Sequence, residues 1–234
     1  MLKTLKLILE VSTDISNTQR NLEIIEKVTL DENWLTKYLN ANVEYSDEQK
    51  AILDRFDIQD LINQPFDLNY LIALPVNTLG YQYAKFMHDN NFDELQFSDR
   101  FMDKSKSNFR VKLISYELKI HDFIHPLLLA PTIPIGEYLN ICFYANNNVK
   151  QYQTTYLLKF ILCIMNFLVI LQNLFYPKRI IQYFRLLKKI KIMAKKAKEY
   201  NAQDIRSLLE QDIDIARSTL GIVPFQVSDF ATFG

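Results

Sequence analysis

Apolar positions along this chain recur at helical spacing, and polar punctuation divides them into helix-length runs. Short helices are expected near 17–28 and 32–40, and Ser46 with Asp47 and Glu48 opens another that runs toward Phe56. Asp67 caps a turn leading through Pro75 into a helix across 77–90, within which Gly80 reads either as a tolerated cost or as a point where a neighbouring helix comes close. A longer helix is expected from near Ser107 to His125, a further one from Glu137 to about Ala145, and a last one across 204–220, stopped by Gly221. Only four glycines occur, and no Asn-Gly or Asp-Gly pair is present, so the hairpin signal of a sheet protein is missing. The fold class expected is all-α, a single compact multi-helix domain.

Composition adds a size and a continuity to that picture. A chain of 234 residues, 49% of them apolar, can bury a large core, and no low-complexity linker divides it. Residues 1–64 are expected to form an N-terminal helical segment packed on a helical domain of residues 65–234. Cys142 and Cys163 lie among apolar neighbours and read as reduced core residues. The first ten residues lack a small-residue cleavage site and the Arg-rich, acid-poor character of a presequence. A cytoplasmic bacterial location, peripheral to the inner membrane, is the expectation.

Charge changes the picture more. Formal neutrality hides an asymmetry: residues 1–137 hold 14 Lys/Arg and 21 Asp/Glu, a net −7, which leaves +7 for the remainder. No acidic residue occurs from Tyr138 to Lys198. Most of the bases cluster in 178–198, where Ile180, Phe184, Leu187, Ile190 and Ala194 recur at helical spacing, the pattern of a basic amphipathic helix. Contact with an anionic membrane surface is the expectation from that pairing of faces. Nucleic acid is not expected as a partner, since no recognition motif is present and the pI is near 6.8. Residues 156–176 are apolar enough to raise a membrane span, but Lys159, Asn166 and Asn173 recur every seven residues on one face, which suits a core helix or the wall of a lipid tunnel.

The candidate chemistry lies between these regions. His121, Asp122 and His125 sit within five positions, and Glu137 follows twelve residues after the second histidine. On a continuous helix the two imidazoles project about one turn apart, with Asp122 roughly 60° from His125. The loop 127–136 is long enough to return Glu137 to the same point, giving two imidazoles and two carboxylates for one divalent ion. Glu117, one turn before His121, is a candidate to orient that imidazole. His88 has no such company and reads as a surface residue.

The H-D-x-x-H motif with its distal glutamate resembles the proposed metal motif of the coenzyme Q biosynthesis protein four family. Flanking segments add to the likeness: Leu-Pro-Val-Asn-Thr-Leu-Gly at 74–80 followed by Tyr83, Ala84, Phe86 and Met87, then Pro-Lys-Arg at 177–179, then Ile-Ala-Arg-Ser-Thr-Leu-Gly-Ile at 215–222. The resemblance covers roughly 65–224. Two departures stand out: Pro126, Pro131 and Pro134 fill a stretch that is usually free of proline, and Leu118-Lys119 replaces a frequent Arg/Glu pair. Pro126 is expected to kink or end the helix at His125.

The resemblance implies a metal held by His121, Asp122, His125 and Glu137, zinc foremost, with Fe, Mn or Mg also suited to the donors. It implies a polyprenyl lipid or quinone precursor as partner, other quinone-biosynthesis proteins and a homo-oligomer. It also implies a lyase-type reaction, loss of the ring carboxylate of a polyprenyl-hydroxybenzoate coupled to hydroxylation at that carbon, with no catalytic residue assigned. A non-catalytic lipid-binding scaffold stays open beside it, as does a metallohydrolase using Asp122 as base.

Overall fold

The computed structural model describes residues 18–30, 66–92, 97–147, 156–198 and 202–233, together with Lys6 and Asp47. The helices expected at 32–40 and 46–56, and most of the 1–64 segment, lie outside the described residues. Among the described residues every regular element is helical, and the one β contact is an isolated bridge between Thr78 and Asp212. The elements are α1 (Thr18–Leu30), α2 (Leu68–Ile72), α3 (Leu79–Asp89), α4 (Asp99–Ser107), α5 (Phe109–Ile120), a 3-10 turn (His121–Phe123), α6 (Ile124–Leu128), α7 (Pro134–Asn147), α8 (Tyr156–Gln172), α9 (Pro177–Lys196), α10 (Ala202–Leu208), α11 (Ile213–Leu220) and a closing 3-10 turn (Val227–Phe230).

Side-chain oxygens start these helices. Asp67 accepts from the Asn69 and Tyr70 amides, Thr78 from Tyr81 and Ser98 from Phe101, each meeting a first-turn N–H that has no partner inside its helix. Glu26 of α1 reaches the start of α4, accepting from the Ser98 amide at 2.8 Å and its hydroxyl at 2.6 Å.

Two expected helices are each divided. The run expected from near Ser107 to His125 starts close to there, at Phe109 just after the extended residue Asn108, but its α-helix ends at Ile120 and passes through the 3-10 turn at His121 before α6 begins. That turn explains how Pro126 is accommodated. It stands third in the new helix α6, within the first turn, where a backbone N–H would have no intrahelical acceptor, so the helix runs on to Leu128 and ends at Leu129 in the left-handed region, φ 56°. The run expected at 204–220 separates into α10 and α11 because the intervening backbone is used elsewhere: Gly80 N–H donates to Leu209 O at 2.8 Å, Leu79 N–H to Gln211 O at 3.0 Å, and Ile213 N–H to Asn77 O at 2.8 Å. Gly80 is therefore a point of close approach, since a Cβ there would lie 2.9 Å from Leu209 O.

The core joins these pieces. Tyr83 of α3 stacks on Phe123 with ring centroids 3.7 Å apart, and Phe66 meets both edge-on. α7 packs along α9, whose inner face carries Tyr183, Leu186, Ile190, Met193 and Ala194. The apolar stripe read from the sequence of α9 thus largely faces the core, with Ile190 and Ala194 buried, while Phe184 is half exposed. α8 buries Met165 and Val169 on one face, Asn173 is buried just past its end, and Asn166 accepts from the Tyr183 hydroxyl. Cys163, expected in the core, is instead exposed on the outer side of α8, whereas Cys142 is buried and its thiol is pushed up to about 11 by desolvation. No described helix is long and apolar enough to cross a membrane.

Candidate metal centre

His121 and His125 stand at the two ends of the junction between α5 and α6. The 3-10 turn and the bend into α6 set the directions of their rings. His121 Nδ1 lies 2.6 Å from Leu118 O, and His125 Nδ1 lies 3.0 Å from Ala130 O. A carbonyl oxygen only accepts, so each ring carries a proton on Nδ1 and turns Nε2 away from that carbonyl, toward the neighbouring carboxylate. Metal-ligating histidines are oriented by this kind of backbone bond. His121 Nε2 lies 3.1 Å from Asp122 Oδ1, and His125 Nε2 lies 3.2 Å from Glu137 Oε1.

Glu137 arrives there through α7. Pro134 opens that helix at a position that suits its fixed φ, and Glu137 falls in the first turn, where the positive end of the helix dipole favours a carboxylate. Gly136 makes that approach sterically possible. A Cβ at 136 would sit 1.9 Å from Pro131 O, so only glycine lets the loop fold back tightly enough to bring Glu137 beside His125.

The junction is clamped from behind. The last four carbonyls of α6 all find donors: His125 O accepts from the Ala130 amide at 3.1 Å and Leu128 O from Phe225 at 2.8 Å. Pro126 O and Leu127 O accept from the buried Arg217, at 2.7 Å from Nη2 and 3.0 Å from Nε. Arg217 is in turn paired with Asp214 at 2.7 Å. Phe86 stacks on the His125 ring, centroids 4.6 Å apart, and closes one wall.

Burial grades across the site. The His125 side chain is 1% exposed, Glu137 17%, Asp122 14% and His121 35%, so the site opens on the His121 side. Burial opposes charge on both His125 and Glu137, but their mutual attraction outweighs it, holding the imidazole above its ordinary value and the carboxyl below. Asp122 adds to the upward pull on His125, and His121 to the downward pull on Glu137, so the two pairs lie within each other's field.

Among the described residues no three or more His, Cys, Asp or Glu side chains gather into a ready-made metal cage. The four expected ligands stand as two pairs. Within each pair the chemistry and spacing fit a divalent ion: donors at about 2.0–2.1 Å in tetrahedral array are about 3.3 Å apart. The Nε2–Oδ1 and Nε2–Oε1 separations, 3.1 and 3.2 Å, are close to that. One further polar atom bears on the fit. Asn140, 4% exposed and one turn beyond Glu137, places Nδ2 2.8 Å from His125 Nε2 and leaves its buried Oδ1 without a partner.

Sequence reasoning missed Asn140, Arg217 and Phe86. Asn140 follows Glu137 at the i,i+3 spacing that places two side chains on one helix face, and that signal could have found it. Arg217 and Phe86 fall within the family-like segments but carried no assigned role. Glu117, expected to orient His121, has its side chain outside the described residues, and Leu118 O holds His121 Nδ1. His88 is at the surface, as expected.

Comparison with known proteins places this geometry in a family. The family model described as coenzyme Q (ubiquinone) biosynthesis protein Coq4 matches residues 29–225, most of the chain. The chain belongs to the Coq4 family. It is 33% identical over 72 residues to the mitochondrial ubiquinone biosynthesis protein COQ4 homolog of Anopheles gambiae, and the match spans 30% of this chain and 24% of the mosquito protein. Its fold is similar to a crystal structure from Nostoc punctiforme provisionally assigned to ubiquinone biosynthesis, with a TM-score of 0.59 and 18% identity over 94% of this chain and 95% of the other. Membership in Coq4 thus agrees with the H-D-x-x-H and glutamate motif on which the resemblance was first read.

Proposed function

We propose that this Coq4-family chain is a metal-dependent, prenyl-lipid-binding protein of ubiquinone biosynthesis. Its reaction is loss of the ring carboxylate of a polyprenyl-hydroxybenzoate as CO2, with a hydroxyl from water taking its place and the two electrons released passing to dioxygen, which leaves as hydrogen peroxide. The observation that carries the reading is the fixed tautomer of His121 and His125: both Nδ1 atoms are committed to backbone carbonyls while both Nε2 atoms face carboxylates.

A divalent ion held by His121, Asp122, His125 and Glu137 supplies Lewis acidity toward the carboxylate and ring oxygen of the head group. The protein's own groups do the rest. Glu137 and Asp122 balance cationic charge, Ala130 O and Leu118 O keep the imidazoles oriented, and Phe86 with the buried side of α6 excludes water from His125. The more exposed His121 side admits the head group.

Work at a membrane surface belongs to the same reading. Its support differs from the amphipathic face expected at first, since most of that stripe packs inward. The outer side of the α8–α9 hairpin instead carries Phe175, 88% exposed, with Leu171, Leu174, Tyr176, Ile181 and Phe184 also exposed, interspersed with Lys178, Arg185, Lys188 and Lys195. Basic and large apolar side chains on one exposed surface suit an anionic bilayer. The same surface favours a second reading, a scaffold that holds the prenyl lipid for partner enzymes without chemistry of its own. The hydrolase expectation needs both imidazoles on one continuous helix, and the 3-10 turn at 121–123 removes that basis.

The test is release of labelled CO2 from a carboxyl-labelled polyprenyl-hydroxybenzoate by metal-loaded protein on anionic vesicles in air-saturated buffer. Wild type is expected to turn over and Glu137→Gln to lose at least about tenfold. Stable binding of the lipid with no CO2 release from wild type selects the scaffold. Absence of both binding and turnover overturns the assignment.

A further inference from the structure

We propose that Asn140 is a fifth donor of the metal centre, and that this chain's site is consequently built for a five- or six-coordinate hard divalent ion of the Mn(II) or Fe(II) class rather than four-coordinate zinc. The proposal rests on the reading that His121, Asp122, His125 and Glu137 hold an ion. It concerns a residue that the motif does not include.

Three observations converge on Asn140. It is 4% exposed, so its amide must find partners inside the protein. Its Nδ2 lies 2.8 Å from His125 Nε2, the nitrogen that also faces Glu137 Oε1 at 3.2 Å. Its Oδ1 is the one buried side-chain nitrogen or oxygen among the described residues that meets no hydrogen-bond partner. Turning the amide by 180° exchanges oxygen and nitrogen without moving the rest of the side chain, and as placed Oδ1 is the end that meets no protein partner. Protein groups alone do not complete this amide.

A cation on His125 Nε2 resolves the conflict. With Nδ1 bonded to Ala130 O, the single lone pair of Nε2 now accepts from Asn140 Nδ2. An ion takes that lone pair, the amide N–H loses its acceptor, and the rotated amide offers Oδ1 to the ion. Donors at right angles on an ion at about 2.1 Å are about 3.0 Å apart, close to the observed 2.8 Å between the amide and Nε2. A neutral amide oxygen is a hard donor, and adding it to two imidazoles and two carboxylates exceeds the four positions of closed tetrahedral zinc.

The experiment uses the full chain, freed of metal and titrated separately with Co(II), Mn(II) and Zn(II), comparing wild type with Asn140→Leu and Asn140→Asp. Cobalt d–d absorption reports coordination number, and electron paramagnetic resonance reports free Mn(II). Wild type is expected to give the weak cobalt bands of five or six donors. Asn140→Leu is expected to give the intense bands of four, with a loss of about tenfold or more in Mn(II) affinity and little change for Zn(II). Asn140→Asp, which keeps an oxygen at nearly the same volume, is expected to retain the weak bands, and it decides the matter if the leucine variant fails to fold. Identical cobalt spectra and an unchanged Mn(II)-to-Zn(II) preference in Asn140→Leu overturn the proposal while leaving the four-ligand site standing, as do four-coordinate bands in Asn140→Asp. If wild type binds none of the three ions, the underlying metal reading falls and this proposal falls with it.

Discussion

The α5–α7 junction and the α8–α9 hairpin use their side chains in opposite ways. At the junction, polar groups point inward: His125, Asn140 and Arg217 are all buried, and their bonds fix backbone and rings around one point. On the hairpin, large apolar groups point outward, and eight of them between Phe167 and Ile192 are at least 47% exposed. Burying polar groups and exposing apolar ones both cost free energy, so each pattern marks a surface shaped by something besides folding. Under the proposed function the first would receive a charged head group and its counter-ion, and the second would meet a lipid surface.

The junction should break most sharply through its clamp. Arg217→Ala leaves two carbonyls of α6 without their donor and is expected to destabilise the fold by about 4 kcal/mol, measured by denaturant unfolding. Arg217→Lys retains the charge but cannot span both carbonyls, and should fall between the two. Gly136→Ala comes next, at about 3 kcal/mol, because the new Cβ meets the Pro131 backbone rather than a side chain that can move. A small change in unfolding midpoint for either variant would mean that the junction is less tightly determined than its hydrogen bonds indicate.

The hairpin should tolerate changes that the junction does not. Replacing Arg185, Lys188, Lys191 and Lys195 by Gln is expected to leave stability within about 0.5 kcal/mol of wild type, since all four are exposed. Binding to anionic vesicles should weaken by about 2 kcal/mol at moderate salt, more at low salt and less at high salt. Lys189 is left out of that set because it pairs with Asp229 at 3.0 Å and lies over the Phe225 ring. Co-sedimentation that is indifferent to both salt and the four substitutions would remove the membrane half of the comparison.

The smallest effect tests that Lys189 contact. Desolvation pushes the Asp229 carboxyl upward, but the Gln226 amide and Lys189 outweigh it and hold the group below its ordinary value of 3.8. A depressed carboxyl contributes stability above the unfolded value that is lost as pH falls through the folded one. Asp229→Asn should therefore cost about 0.5 kcal/mol near neutral pH, and that difference should vanish below the folded value. A difference that persists there would assign the contact to packing rather than charge.

What the sequence disclosed follows the same division. The spacing of His121, Asp122, His125 and Glu137 and the helical periodicities were legible because each is a local property. The division of the 107–125 run was not legible: a proline judged against an uninterrupted helix signals a kink, whereas the 3-10 turn places Pro126 in the first turn of a new helix. The division at 209–212 depends on α3, more than a hundred residues earlier, claiming the backbone carbonyls. Periodicity in α9 gave an apolar stripe but not what covers it, and α7 covers most of it. Cys163 misled because apolar sequence neighbours do not fix which face of α8 a residue occupies.

The central claim is that this junction holds a divalent ion, and elemental analysis of the purified chain tests it most directly. Wild type and the triple variant His121→Ala, His125→Ala, Glu137→Ala are dialysed against the same trace-metal buffer, and the ion content per folded chain is measured. The account predicts about one ion per chain for wild type and close to none for the variant. A wild type that carries and takes up no ion, or a triple variant that keeps full occupancy, would contradict it.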